Sequence, residues 1–542
     1  MVVATGLLVG GLANASAAGA EASTESAPAS ITPTGMGAAT PRTVDVRTAA
    51  AGPQIPASPR SFGPLGADGR PATASLPAQS PSGTKPAPAV APPAAGGPNL
   101  GGRVQRPPGV APLAAPTTIN ANFNGINQAT SNCGGCQPPD PNAAVSPSEI
   151  AHTANLRLQV YTKAGATLCG VGLNTFIGTS ASLSDPRILW DNRNNRYLLV
   201  VIPVPASTTS TPTLFLAAST GTSACGSWFI YTLTFSGSLY PAGTLLDYPY
   251  LGQDRVAALL SSNNFRRTTS GFVPIGSAAF SVSKARLYIG ASVSFPAFSV
   301  GFSTAPVTVS GIPIASTTNS YYLRSIPGTG YGLYRMTNSA GPGTTLVLQA
   351  TISSPFARPS RRVRQPGTGA TLDPLDGRIV WAPVQDENFV WFTHGMDLSG
   401  YPAVRYGAVS VVSNTATVAK AFRGSTSDDF NPSIGVADAG ANAVFVWLNW
   451  AYTDTPANVA TSVTVDGVRP GTGVPDLIGT GRVLVNGFST VSNFRFGDYS
   501  SVAVDPTAAS GTCPAGRTAV TAQQYFTSNG QWRVRLSRLS FC

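Results

Sequence analysis

The sequence predicts an all-β protein: a single β-propeller of about seven blades, with six or eight as alternatives, behind a disordered leader. Three observations predict it. Only 11% of the 542 residues are charged, while Gly (57) and Pro (47) are abundant. Helices would need Lys, Glu and Gln to solvate their outer faces, whereas short strands joined by Gly, Pro, Ser and Thr turns do not. The apolar runs have strand length, and an acid-led unit recurs along the chain at the spacing of propeller blades.

Residues 1–17 read as a signal peptide, with an apolar stretch from Met1 and a small-residue cleavage site at Ala15-Ser16-Ala17. No basic segment precedes this stretch, so the true start is expected upstream. The apolar run is too short to span a bilayer, which takes about 20 residues. Residues 18–118 are Ala, Pro, Gly, Ser and Thr with almost no aromatics. Such a segment buries too little apolar surface to offset its ordering entropy, so a disordered, semi-extended spacer is expected. The folded domain is expected over 119–542. The chain is thus read as secreted, not membrane-spanning, and monomeric.

In the folded part, Leu156–Tyr161, Tyr197–Ile202, Leu214–Ala217, Trp228–Leu233 and Val444–Leu448 are strand-length and rich in β-branched or aromatic residues. The recurring unit starts on an acid: Asp140-Pro-Asn, Asp185-Pro-Arg, Asp247-Tyr-Pro, Asp429-Phe-Asn-Pro and Asp498-Tyr-Ser. Positions 140 and 185 lie 45 residues apart, 185 and 247 lie 62 apart, and 429 and 498 lie 69 apart. The stretch from 247 to 429 holds about three further units, with weaker copies near Asp373 and Tyr321. A stacked β-sandwich array is the alternative. Near the C-terminus, two strand patterns flank Ser528-Asn529-Gly530, a hairpin signal.

Six cysteines in an exported chain predict three disulfides. Cys513 and Cys542 lie symmetrically about the hairpin turn and would pin its open end. Cys133-Gly-Gly-Cys136 sits in a Gly/Pro loop with no second ligand pair, so a structural disulfide is expected ahead of zinc or redox chemistry. Cys169 and Cys225 pair by elimination. The net charge of +11 does not point to nucleic acid. All but Lys85, Lys163, Lys284 and Lys420 of the 34 basic residues are Arg, scattered without a long stripe.

Several segments together resemble a family of uncharacterised secreted bacterial proteins with sialidase-like propeller architecture. They are Gln137-Pro-Pro-Asp-Pro-Asn142, Gln365-Pro-Gly367 with Leu372-Asp-Pro-Leu-Asp-Gly-Arg378, Asn431-Pro-Ser-Ile-Gly435 and Phe496-Gly-Asp-Tyr-Ser-Ser-Val-Ala-Val-Asp-Pro506. The resemblance covers about residues 125–542 and implies a fold, not an activity. The chain departs from the family after Cys513, where Pro-Ala-Gly-Arg replaces an aromatic-rich stretch.

If the repeated acid opens the innermost strand of each blade, these carboxylates converge on one channel mouth. Asp140, Asn142, Asp247, Arg364, Asp429, Asp498 and Tyr499 are therefore the candidate ligand residues. Asp140 and Asp498 are candidate ligands for calcium, a hard cation that favours oxygen. An Asp before a strand also caps a turn through its own backbone. A glycoside hydrolase would need two carboxylates at about 5–10 Å, or a Tyr/Glu pair. The folded part has only Glu149 and Glu387 as glutamates, and the Asp-box turn of sialidases is missing at Ser223–Trp228. Neither His152 nor His394 has a Gly-x-Ser-x-Gly partner. The expected role is an extracellular binding module for a glycan or another cell-surface or matrix ligand. The alternatives are a glycan hydrolase and a structural surface protein.

Overall fold

A computed structural model describes residues 29–56, 85, 118–131, 133–309, 319–438, 444–469, 474–479, 481–492 and 495–542. The expected signal peptide (1–17) and most of the expected leader lie outside the described residues. Strand dominates the described residues, and the three helices among them are each six residues or shorter. None of them is long and apolar enough to cross a membrane.

The folded part is a succession of antiparallel meanders. The first is Asn142–Val145, Glu149–Ala154, Arg157–Thr162 and Thr167–Gly172. The second is Leu183–Asp191, Arg196–Pro203, Thr213–Ser219 and Ser227–Gly237. The third is Thr244–Gln253, Ala257–Thr268, Gly271–Ser283 and Val293–Val300. The fourth is Ala305–Pro306, Asn319–Ile326, Gly330–Thr337 and Thr345–Ser353. The fifth is Val384–Asp386, Phe389–Leu398, Tyr401–Ser410 and Ala416–Phe422. The sixth is Asp428–Asp438, Val444–Asp454, Val459–Val468 and Arg482–Val485. The seventh is Ser501–Val504, Thr518–Phe526 and Trp532–Ser540, with Thr118–Asn127 as its outermost strand.

The leading strands follow one another around an axis, with Thr308–Val309, just after the fourth, making the step to the fifth, and Ser501–Val504 returns to Asn142–Val145. Gln253 pairs in parallel with Thr308, and Thr308 with Val384, as expected where innermost strands lie side by side. This closed succession of meanders is a single β-propeller. The closing strand comes from the N-terminal side and its partner from the C-terminus, so the two ends of the domain share one sheet. Buried aliphatic and aromatic side chains fill the space between neighbouring meanders.

All three expected disulfides form: Cys133–Cys136, Cys169–Cys225 and Cys513–Cys542. The hairpin turns at Asn529-Gly530, where Gly530 takes φ +74° and Gly530 N donates to Thr527 O.

The leader departs from expectation. Within 18–118, Ser30–Ile31 pairs with the outer strand of the fourth meander. Pro33–Ala39 lies between the outer strands of the second and third meanders, antiparallel to both. Pro41–Asp45 continues along the second meander into a short helix, Val46–Ala51, capped by Asp45, whose Oδ1 accepts from Arg47 N and Thr48 N. The reason is that a sheet edge offers unpaired N–H and C=O groups that any extended backbone can satisfy. An apolar side-chain pattern is not required, and small residues here are an advantage. A Cβ on Gly37 would lie 2.3 Å from Phe295, and one on Gly35 would lie 2.7 Å from Tyr240.

Candidate functional site

Four residues just before prolines take positive φ: Asp140 (51°), Asp185 (60°), Tyr248 (50°) and Asn431 (51°). Pro141, Pro186, Pro249 and Pro432 follow them. Ladder register shifts accompany the last three, between Asp247 and Tyr250, between Phe430 and Ser433, and opposite Ser184–Arg187. These bulges re-aim the strand where it meets the axis. The repeat is therefore an X-Pro bulge, not an acid. Asp247 and Asp429 stand one and two residues out of register with Asp140 and Asp185, whose equivalents are Tyr248 and Asn431.

The bulge residues assemble one buried polar cluster. Asp140 Oδ2 accepts from Asn155 Nδ2 at 2.5 Å, and its Oδ1 accepts from Asp498 N at 3.2 Å. Asp185 accepts from Tyr499 Oη at 2.5 Å and from Ser184 Oγ. Tyr248 Oη donates to Asp498 O at 2.7 Å, and Asn431 Nδ2 donates to Tyr499 O at 3.0 Å. Asp498 Oδ2 pairs with Arg495 at 2.7 Å. Arg187 lies over the ring of Tyr499, 3.9 Å from its centroid, with Tyr250 and Tyr248 at 4.8 and 5.2 Å. Burial first, and then the Asp185 carboxylate, hold the Tyr499 phenol well above its ordinary range, so it donates as a neutral hydroxyl.

Of the residues singled out from sequence, the structure brings together Asp140, Asp498 and Tyr499, all buried. Asn142 is buried beside them, its carbonyl accepting from His152 Nδ1 at 2.7 Å. Asp247 is buried one residue from Tyr248. Arg364 stands elsewhere, paired with Asp428, which also takes Arg361 at 2.5 Å. Asp429 pairs with Lys85 of the leader at 2.6 Å. In place of the expected open rim, Asp140, Asp185, Asp429 and Asp498 are engaged internally, by Asn155 and Asp498 N, by Tyr499 and Ser184, by Lys85 and Trp450, and by Arg495. Among the described residues no group of three or more His, Cys, Asp or Glu is placed to hold a metal.

The open space lies further along the same strands. A cavity of about 200 Å³ is lined by successive leading strands, including Ala143, Ala144 and Val145, Ile188 and Trp190, Trp381 and Ala382, Val436, and Val502 and Ala503. Exposed Asn192 and Ala515 lie at its edge. Its one carboxylate among the described residues, Asp505, is bound to Lys163 at 2.7 Å and Arg538 at 2.8 Å. Trp190 Nε1 is buried with no hydrogen-bond partner among the described residues. Sequence reasoning missed this cavity because Ala and Val in strands read as core, and only the closed axis makes them a wall.

Glu149 and His394 are both engaged inside the fold. Glu149 accepts from Ala224 N at 2.5 Å and Ser223 Oγ at 3.1 Å, and burial raises its pKa. His394 packs on Phe356, with ring centroids 4.3 Å apart, and hydrogen-bonds Tyr331.

No family model and no curated protein matches the chain, so the family resemblance rests on the quoted motifs alone. Among solved structures, an apocarotenoid oxygenase from Synechocystis is similar with TM-score 0.35 and 12% identity, over 63% of this chain and 74% of that one. A protein of unknown function from Dyadobacter fermentans gives 0.33 and 11%, over 66% and 94%. An α-L-arabinanase from Penicillium chrysogenum gives 0.29 and 10%, over 66% and 92%. At these TM-scores the likenesses carry nothing about activity, and the propeller assignment stands on the sheet topology.

Proposed function

We propose that the protein is a secreted binding module that holds one ring-sized group in its axial cavity. The observation carrying this reading is the cavity itself. Its size exceeds that of the apolar hole of about 150 Å³ that accepts benzene, yet falls below the usual drug-sized pocket of about 300 Å³ or more. Such a volume suits a terminal ring and not the middle of a polymer. The aliphatic wall and the two indoles would take the apolar face of that ring. The unpartnered Trp190 Nε1 calls for an acceptor oxygen, since a buried donor left unpaired is costly. The non-reducing end of an extracellular glycan has both features.

Binding is favoured over hydrolysis by the distribution of acids. Hydrolysis of a glycoside needs two carboxylates flanking the bond, or a Tyr/Glu pair, and among the described residues the cavity wall carries one carboxylate, Asp505, held by two cations, and no Glu or Tyr. The test is a glycan array and an aryl-glycoside activity screen on the full chain, each repeated on Ala503→Phe, which fills the cavity. Binding without turnover that Ala503→Phe abolishes is the expected result. Turnover lost in Asp505→Asn would replace the module with a hydrolase, and silence in both assays would leave a structural surface protein.

A further inference from the structure

Lys85 is the single described residue between positions 56 and 118, and it is buried to 1% exposure between the fifth and sixth meanders. Its Nζ lies 2.6 Å from Asp429 Oδ2 and 3.4 Å from Ser427 Oγ. The Phe422 and Tyr401 ring centroids stand 4.8 and 5.6 Å from the ammonium. Its backbone N donates to Ser425 O at 2.9 Å.

The described partners of Lys85 all belong to the propeller. Asp429 is fixed from three further directions: Trp450 Nε1 donates to Oδ1 at 2.9 Å, Arg423 N to Oδ1 at 2.8 Å, and Ser427 Oγ to Oδ2 at 2.5 Å. Removing Lys85 would leave a buried carboxylate oxygen aimed between two aromatic faces. That is the chemistry of a site for a cation.

The same geometry selects the kind of cation. Oδ1 already accepts two donors and Oδ2 accepts from Ser427, so one acceptor position on Oδ2 remains, and a guanidinium could not make its two-pronged pairing. A compact ammonium on a slim aliphatic stem fits. The Arg361 and Arg364 guanidiniums also stack on Tyr401, at 4.9 and 5.1 Å, but their charge is taken up by Asp428.

We infer that this cleft is a binding site for a lysine side chain, filled in cis by the leader's own Lys85 and open to a lysine in an extended segment of another protein when Lys85 withdraws. The Pro86 that follows favours an extended conformation at Lys85. A guest would therefore be a lysine in extended, proline-flanked chain. The cis lysine competes with any guest at the high effective concentration of a tethered group. The site shares no lining residue with the axial cavity and does not depend on a ligand there.

The test uses the full chain and the acetylated, amidated pentapeptide Gly-Thr-Lys-Pro-Ala, titrated by calorimetry. Lys85→Ala should bind it at least about tenfold more tightly than the native chain does, because the tethered competitor is gone. The same peptide with Arg or norleucine for Lys should bind at least about tenfold more weakly. Lys85→Ala combined with Asp429→Asn should not bind. Equal binding to native and Lys85→Ala chains, equal binding of the norleucine peptide, or no binding to folded Lys85→Ala overturns the inference. If Lys85→Ala does not fold, acylation of Lys85 in the native chain gives a second reading. Excess lysine peptide should speed it relative to Lys420, and no acceleration also overturns the inference.

Discussion

Two histidines set part of the pH response of this chain. Burial, only partly offset by backbone carbonyls near Nδ1, holds His152 down to about 4 and His394 down to about 3, against 6.5 for a free imidazole. Both are neutral when folded and take up a proton on unfolding over the interval from 6.5 down to those values. Their stabilising contribution is therefore complete above pH 6.5 and is lost as pH falls toward 4. For His152 alone this is on the order of 3 kcal/mol, at about 1.4 kcal/mol per pKa unit. The urea midpoint should drop between pH 7 and pH 4.5, and His152→Gln should flatten that drop. Parallel pH profiles for the two proteins would remove His152 from the account. The axial acids give a second expectation at this scale. The Asp140 and Asp498 carboxylates already engage Asn155, a backbone N–H and Arg495. Millimolar Ca²⁺ should then leave the melting temperature unchanged, whereas Asp140→Ala should cost about 2–4 kcal/mol through unpaired partners and a strained φ. A calcium-dependent rise that Asp140→Ala abolishes would restore the metal reading. Sequence made Asp140, Asp498 and Tyr499 legible because they sit in the repeat. It misplaced Asp429 because an acid is visible in one chain and a positive φ is not, although Asp-Pro, Tyr-Pro and Asn-Pro carried the true register.

Individual strands were legible where side chains alternate and illegible where only backbone is used. Trp532–Ser540 buries Trp532 and Val534 and turns Arg533 and Arg535 partly outward, a pattern that can be read from residue types. The Asn-Gly turn before it fixes the hairpin. Pro33–Ala39 has no such pattern, and its place depends on two edges supplied by distant parts of the chain. Gly37→Val should therefore drive that strand off Phe295 while leaving the meanders formed. The expected readout is new protease cleavage within residues 29–56 at an otherwise unchanged far-ultraviolet spectrum, and an unchanged cleavage pattern would count against the strand. Converting both Cys513 and Cys542 to Ala should cost about 3–4 kcal/mol for a closed loop of 29 residues. A chemical melt under non-reducing conditions measures it.

For the whole molecule, the decisive contact is the one that closes the circle. Thr118–Asn127 pairs with Trp532–Ser540, and Thr118 reaches Cys542 across 424 residues. A chain truncated after residue 531 would keep six intact meanders and lose the strand that holds the first and last sheets together. It should be protease-sensitive throughout, not only in its last meander, and a stable six-meander core would contradict this. Composition and repeat length disclosed the architecture because every blade needs the same turns and strands. The cavity was hidden because its walls are assembled from all parts of the chain.

That closure also has a cost in time. A ribosome adds about 5–20 residues per second, so roughly 20–85 s separate the appearance of the first partner from that of the last. During this interval Thr118–Asn127 is an orphan strand in a crowded setting, the condition that invites pairing with the wrong chain. Its composition fits a long wait. Asn120, Asn122, Asn124 and Asn127 punctuate it, leaving Ile119, Phe123 and Ile126 as isolated apolar points and not a sticky band. The residues that look least committed to a strand are those that keep the molecule's fastener clean until its counterpart has been made.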